Sequence, residues 1–206
     1  GGFTQQVRNP DSWEGWHWGA THSYGFYWRL GMPEPYDMLT DALQHAEMIV
    51  YWSNDPDSTR GTYSGQDSAL WRQWLKEKGV KMVFIDPFYN YTNAVMGGKW
   101  IVPRPGTDTA VAMAIAFVWI TEDIYNKEYV ADKTIGFDEF KTYVLGETDG
   151  VPKTPEWAEE ESGVEARVIR TLAREWAAKK TMLATASPWR LARSTISFQK
   201  SLPCMS

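Results

Sequence analysis

Two short apolar runs, EMIVYWS at 47–53 and VKMVFID at 80–86, bracket the stretch DSALWRQWLKEKG at 67–79. The outer runs read as buried strands. The middle reads as a helix, with Asp67 near its start and Gly79 as its C-terminal stop. A strand, a helix and another strand of this length form a βαβ unit, whose strands run parallel and whose crossover is right-handed. A parallel sheet needs helices on both faces, so this one unit sets the fold class as α/β.

The rest of the chain extends the same pattern. From Pro35, YDMLTDALQHA puts Met38, Leu39, Ala42, Leu43 and Ala46 at helical spacing and feeds the first strand. KWIVP reads as a third short strand. PGTDTAVAMAIAFVWITED then begins a long helix, with Thr107 or Asp108 placed to cap it. TPEWAEEESGVEARVIRTLAREWAAKK gives a short acidic helix, a break at Gly163, and an amphipathic helix on Val164, Val168, Ile169, Leu172, Ala173 and Trp176. TMLAT follows as one more core strand. The expectation is a parallel, Rossmann-like βαβ sheet with helices on both faces over residues 35–185. An irregular lead-in at 1–34 precedes it, and an atypical tail at 186–206, basic and without period, follows.

Composition excludes several functions. The 26 acidic and 21 basic residues, net charge -5, are spread along the chain and form no basic footprint for nucleic acid. The single cysteine, Cys204, excludes an internal disulfide framework, a cysteine zinc site and an in-chain iron–sulfur cluster. The most apolar run, AVAMAIAFVWI at 110–120, is about half the length of a membrane span and reads as a buried helix. No export signal stands at the N-terminus, which sets a cytoplasmic expectation.

In open α/β sheets, ligands sit at the carboxyl ends of the strands. Those ends carry Trp52, Ser53, Asn54 and Asp55 after the first strand, Asp86 and Pro87 after the second, and Pro105, Gly106, Thr107 and Asp108 after the third. Backbone NH groups, short polar side chains and a helix N-terminus suit a nucleotide or a diphosphate. Neither GxGxxG nor GxxxxGK[ST] is present, so an NAD fingerprint and a P-loop are both excluded. Asn, Asp, Gly and Pro are also ordinary turn formers, and each loop taken singly fits a plain βα turn.

Read in order, EMIVYWSNDPDS, GVKMVFIDPFYNYTNA, KWIVPRPGTDTAVAMAIAFVWITEDIYNKEYV, GFDEFKTYV and TPEWAEEESGVEARVIRTLAREWA resemble the large subunit of molybdopterin oxidoreductases, the dimethyl sulfoxide reductase family. The similarity runs from about residue 10 to about residue 184. It implies a molybdenum or tungsten bis(molybdopterin guanine dinucleotide) cofactor and a partner subunit carrying iron–sulfur clusters. In that family these loops grip one guanosine diphosphate arm, so the resemblance places Trp52, Ser53, Asn54, Asp55, Asp86, Pro87, Gly106, Thr107 and Asp108 along it. A carboxylate after the second or third strand suits guanine, whose N1 and N2 hydrogens match its two oxygens.

The resemblance also gives meaning to NPDSWEGWHWGATHSYGFYWRLG at 9–31. The family's metal ligand precedes the first strand of this unit, and Ser12 stands 36 positions before Met48. Within the family the stretch is most similar to the branch that transfers a hydroxyl between polyhydroxylated benzenes. That similarity implies Ser12 as the metal's ligand and Asp11 as general acid or base. An alkoxide is a hard ligand suited to high-valent molybdenum, and an adjacent carboxylate can shuttle a phenol's proton. His22 is an open candidate for substrate or cofactor contact. His17, between Trp16 and Trp18, reads as buried, and His45 as structural. Without the resemblance, Asp11 and Ser12 would read as a turn or helix cap. The chain is expected to be a piece that lacks the domain holding the other pterin arm and to be inactive alone. Two other readings stand beside hydroxyl transfer: a related reductase or dehydrogenase with a serine ligand, and a nucleotide-binding module without activity.

Overall fold

A computed structural model describes residue 2 and residues 38–58 and 67–185. Asp11, Ser12, His17 and His22 lie outside the described residues, as do most of the expected lead-in and the tail. The elements run α1 (Met38–His45), β1 (Met48–Trp52), α2 (Asp67–Glu77), β2 (Lys81–Ile85), α3 (Tyr91–Met96) and β3 (Lys99–Ile101). Then come α4 (Asp108–Thr121), α5 (Lys127–Lys133), α6 (Phe137–Val144), α7 (Pro155–Ser162), α8 (Ala166–Ala178) and β4 (Thr181–Thr185). The four strands form one sheet in the order β3-β2-β1-β4, and every pair is parallel. Trp52 stands opposite Ile85 on β2 and Thr185 on β4, so the carboxyl ends of the three strands are level.

Alternation along β1 divides the core in two. Met48, Val50 and Trp52 face one side with Val83, Ile85 and Ile101, where α4, α7 and α8 cover them. Ile49 and Tyr51 face the other with Met82 and Phe84, against Leu75 of α2 and Met96 of α3. Tyr51 and Phe84 stack at 4.8 Å between ring centres. Each fully buried side chain of this size stabilises the fold by about 1.5–3 kcal/mol.

Helix α4 is apolar all round because it is covered all round. One side packs on the sheet, while Met113 and Ala116 on another meet Val144 of α6, with Phe140 and Trp157 alongside. An all-apolar helix is what a buried position requires. Helix α7 starts with the Thr154 side chain accepting from Trp157 N and with Pro155 in its first turn, and it ends at Gly163 in a left-handed conformation. Glu159, on the acidic helix, accepts from Ala166 N at 2.9 Å and links α7 to α8. The capping expectation for α4 needs correction. Thr107 occupies the N-cap position, but its hydroxyl donates to Arg104 O at 2.7 Å and makes no cap bond. Asp108 is drawn instead toward β1. No helix among the described residues is long and apolar enough to cross a membrane.

Candidate functional site

The chain proceeds from β1 to β2 to β3 in one direction and then returns to place β4 on the free side of β1. The strand order reverses between β1 and β4, and crevices at such reversals are where open α/β sheets hold ligands. The three loops expected at this edge are joined to one another by side chains. Trp52 Nε1 donates to Asp108 Oδ1 at 2.8 Å, and Ser53 Oγ donates to the same oxygen at 3.4 Å, so the first and third loops meet above β1. Ser53 adopts φ 47°, an uncommon conformation for a non-glycine residue, and its amide donates to Ile85 O at 2.8 Å.

The second loop is tied in from the other direction. Asp86, buried at the end of β2, accepts from Phe88 N on Oδ1 at 3.1 Å and from Asn90 Nδ2 on Oδ2 at 2.9 Å. Asn90 Nδ2 also reaches Asn54 O at 3.4 Å. Asp55 spans from the first loop to α3: its Oδ1 accepts from Thr92 N and Thr92 Oγ1, at 2.9 and 2.8 Å, and its Oδ2 accepts from Ser58 Oγ and Tyr91 N. The first three amides of α3 are thus satisfied, two by Asp55 and the third by the Asn90 side chain. Partial burial pushes the Asp55 carboxyl upward, but hydrogen bonds from Ser58, Thr92 and Tyr91 outweigh it and hold the group below its ordinary value.

The structure therefore brings Trp52, Ser53, Asn54, Asp55, Asp86 and Asp108 together; Asp55 and Asp108 brace one loop against another, and Asp86 holds its own loop through Phe88 and Asn90. Pro87 is half-buried beside them. Gly106 and Thr107 form the rim of the third loop. Gly106 has φ 82°, and a Cβ there would meet nothing within 4 Å. Arg104 holds this loop from behind by donating to Glu160 O at 2.7 Å and Glu161 O at 3.2 Å. The Thr107 side chain makes no cap bond to the 14-residue α4, whose N-terminal dipole points toward this edge.

Sequence reasoning missed several supports. Arg72 of α2 pairs with Asp57 at 2.5 Å, and both side chains are largely buried. Asp57 N donates to Thr92 Oγ1 at 3.0 Å. The loop sequence NDPDS and the Asn90 that opens α3 were visible, but nothing in their spacing reveals which distant amides they serve. His45 ends α1 on the surface, 3.9 Å from Asp41. A cavity of about 760 Å³, lined by His45, Trp119, Tyr125, Trp176 and Lys180, opens at the opposite, amino-terminal end of the sheet. Among the described residues no cluster of three or more His, Cys, Asp or Glu could hold a metal.

Polar loops converging on a strand-order reversal mark the place where open α/β proteins hold their ligands. Residues 13–197 match the family described as molybdopterin oxidoreductase, and the chain belongs to that family. It is 60% identical over 183 residues to the pyrogallol hydroxytransferase large subunit of Pelobacter acidigallici, covering 89% of this chain and 21% of the relative. It is 38% identical over 176 residues to the dimethyl sulfoxide/trimethylamine N-oxide reductase of Rhodobacter capsulatus, covering 80% of this chain and 20% of the relative. The acetylene hydratase from Pelobacter acetylenicus shares the fold, with a TM-score of 0.57 and 22% identity over 76% of this chain and 20% of that one. The chain thus spans about a fifth of the length of these relatives. The family implies a molybdenum–pterin cofactor.

Proposed function

We propose that the complete protein is a molybdopterin enzyme that moves a hydroxyl between polyhydroxylated benzenes. In this reading residues 35–185 form the domain that carries one guanosine diphosphate arm, and 1–34 an active-site lead-in. The observation that carries the proposal is the 60% identity to a pyrogallol hydroxytransferase large subunit over 183 residues.

The described residues fit such an arm on their own chemistry. The rim at Gly106 is open and lacks a side chain, and the adjacent α4 N-terminus has no side-chain cap. Diphosphate oxygens are suited to that position. A carboxylate of this cluster, Asp86 or Asp108, would meet the guanine. Asn54, Asp55 and Pro87 would shape the wall between them. When bound, the metal and its pterins, molybdenum or tungsten, supply and take back electrons at the reacting aromatic ring. Ser12 would hold the metal through its hydroxyl oxygen. Asp11 would take a phenolic proton from the substrate and return it, and His22 would contact substrate or cofactor. A small subunit with iron–sulfur clusters would complete the assembly, in the cytoplasm.

A hydroxyl moved from a tetrahydroxybenzene co-substrate onto pyrogallol leaves phloroglucinol and regenerates the co-substrate, so no external oxidant or reductant is consumed. The complete protein should form phloroglucinol anaerobically from pyrogallol with catalytic tetrahydroxybenzene and no added electron acceptor or donor. Strict dependence on an external acceptor or donor would overturn this and favour a reductase or dehydrogenase. Asp11→Asn should lower kcat by about 10²–10⁴-fold, and Ser12→Ala should abolish turnover while the protein still folds.

A further inference from the structure

Helices α2 and α3 carry a second apolar side that the sheet does not use. Leu75 and Met96 are buried against the sheet. On the outward side, Leu70 and Trp74 of α2 are 55% and 46% exposed, and Tyr91 and Val95 of α3 are 71% and 52% exposed. Each pair is spaced by one turn, so each forms a stripe. Both helices lead into neighbouring parallel strands, and they therefore run side by side in the same direction. Lys76 Nζ donates to Val95 O at 2.9 Å and joins their last turns. That bond brings the last turns of the two helices close, and within α2 the edge of the Trp71 ring meets Trp74 at 5.4 Å between centres.

Soluble monomers seldom leave a contiguous patch of this kind to water. The flanking polar residues Gln73, Lys76 and Glu77 carry no dominant sign, so an apolar partner surface suits the strip better than a charged one. The opposite face of the sheet is already covered by three helices of this chain, whereas here the outermost layer ends in exposed rings. About four-fifths of the length of the relatives lies beyond the part this chain matches.

We propose that the Leu70–Trp74 and Tyr91–Val95 strip is an internal seam of the complete polypeptide, covered by an apolar surface from another part of the same chain. Hydroxyl-radical footprinting of the complete polypeptide, purified without its partner subunit and shown to be monomeric, tests this on the unaltered sequence. Trp74 and Tyr91 should lose their oxidation to the level of Trp119, an indole buried against α8. Oxidation at the rate of half-exposed rings would overturn the seam. So would protection that appears only when a partner subunit or a second copy binds, since either would then be the occupant. Leu70→Cys and Val95→Cys in the same polypeptide should resist maleimide until it is denatured, and rapid labelling of the native protein would count equally against the proposal.

Discussion

Asp108 is 4% exposed and accepts hydrogen bonds from two side chains of the first loop. Removing its carboxylate strands the Trp52 indole N–H, so Asp108→Ala should cost about 1–3 kcal/mol. Faster hydrogen exchange at residues 52–55 would report it, and unchanged exchange would show that the loops are held otherwise. The Arg72–Asp57 pair is largely buried, its side chains 7% and 16% exposed. Arg72→Met leaves an uncompensated carboxylate, and denaturant unfolding should show a loss of about 3–5 kcal/mol. Burial pushes the Tyr51 hydroxyl up from 10.0 to about 12, against a downward pull from Arg72 and a smaller upward push from Asp57. The folded state therefore holds this proton more tightly, and the associated stability is complete below pH 10 and is lost as pH rises toward 12. Tyr51→Phe should flatten that alkaline loss; an unchanged pH profile would mean another group causes it. At this scale the sequence showed which residue types stood at the strand ends. It did not show that Asp55 would cap α3 or that Asp108 would turn back to Trp52, because those partners are 36 or more positions away and only the folded sheet brings them together.

Strands and long helices were legible because burial on both faces leaves continuous apolar runs and amphipathic helices leave a period. Helix α4, with apolar residues on every side, could be read as buried but not as covered by α6, which itself has only eight residues. Helices α3 and α5, of six and seven residues, were too short for a period to emerge, and their starts depend on the Asn90 and Asn126 caps. The link between α3 and β3 rests on Gly98. Its φ is 141°, and a Cβ there would lie 2.5 Å from Met82 O. Gly98→Ala should force β3 away from β2 at a cost of about 1–3 kcal/mol from backbone strain alone. A thermal melt matching the parent would contradict that placement.

For the whole molecule, the family could be read from the order of the loops, whereas no single loop distinguished a cofactor site from a turn. The reason is physical: each loop contributes one or two weak contacts, and only their convergence at the β1/β4 reversal makes a site. The proposed reaction would rest on Asp11 and Ser12, which stand 37 and 36 positions before Met48 and lie outside the described residues. The cradle itself can be tested by charge at its rim. In the complete protein, Gly106→Asp places a carboxylate where the diphosphate is proposed to lie, in a backbone conformation that Asp and Asn tolerate better than most residues. Gly106→Asn is nearly the same shape without the charge. The decisive measurement is the guanine nucleotide and metal content of the two purified variants beside the parent. Loss of both from Gly106→Asp, with retention in Gly106→Asn, is the predicted result. Full occupancy in Gly106→Asp would contradict the cradle.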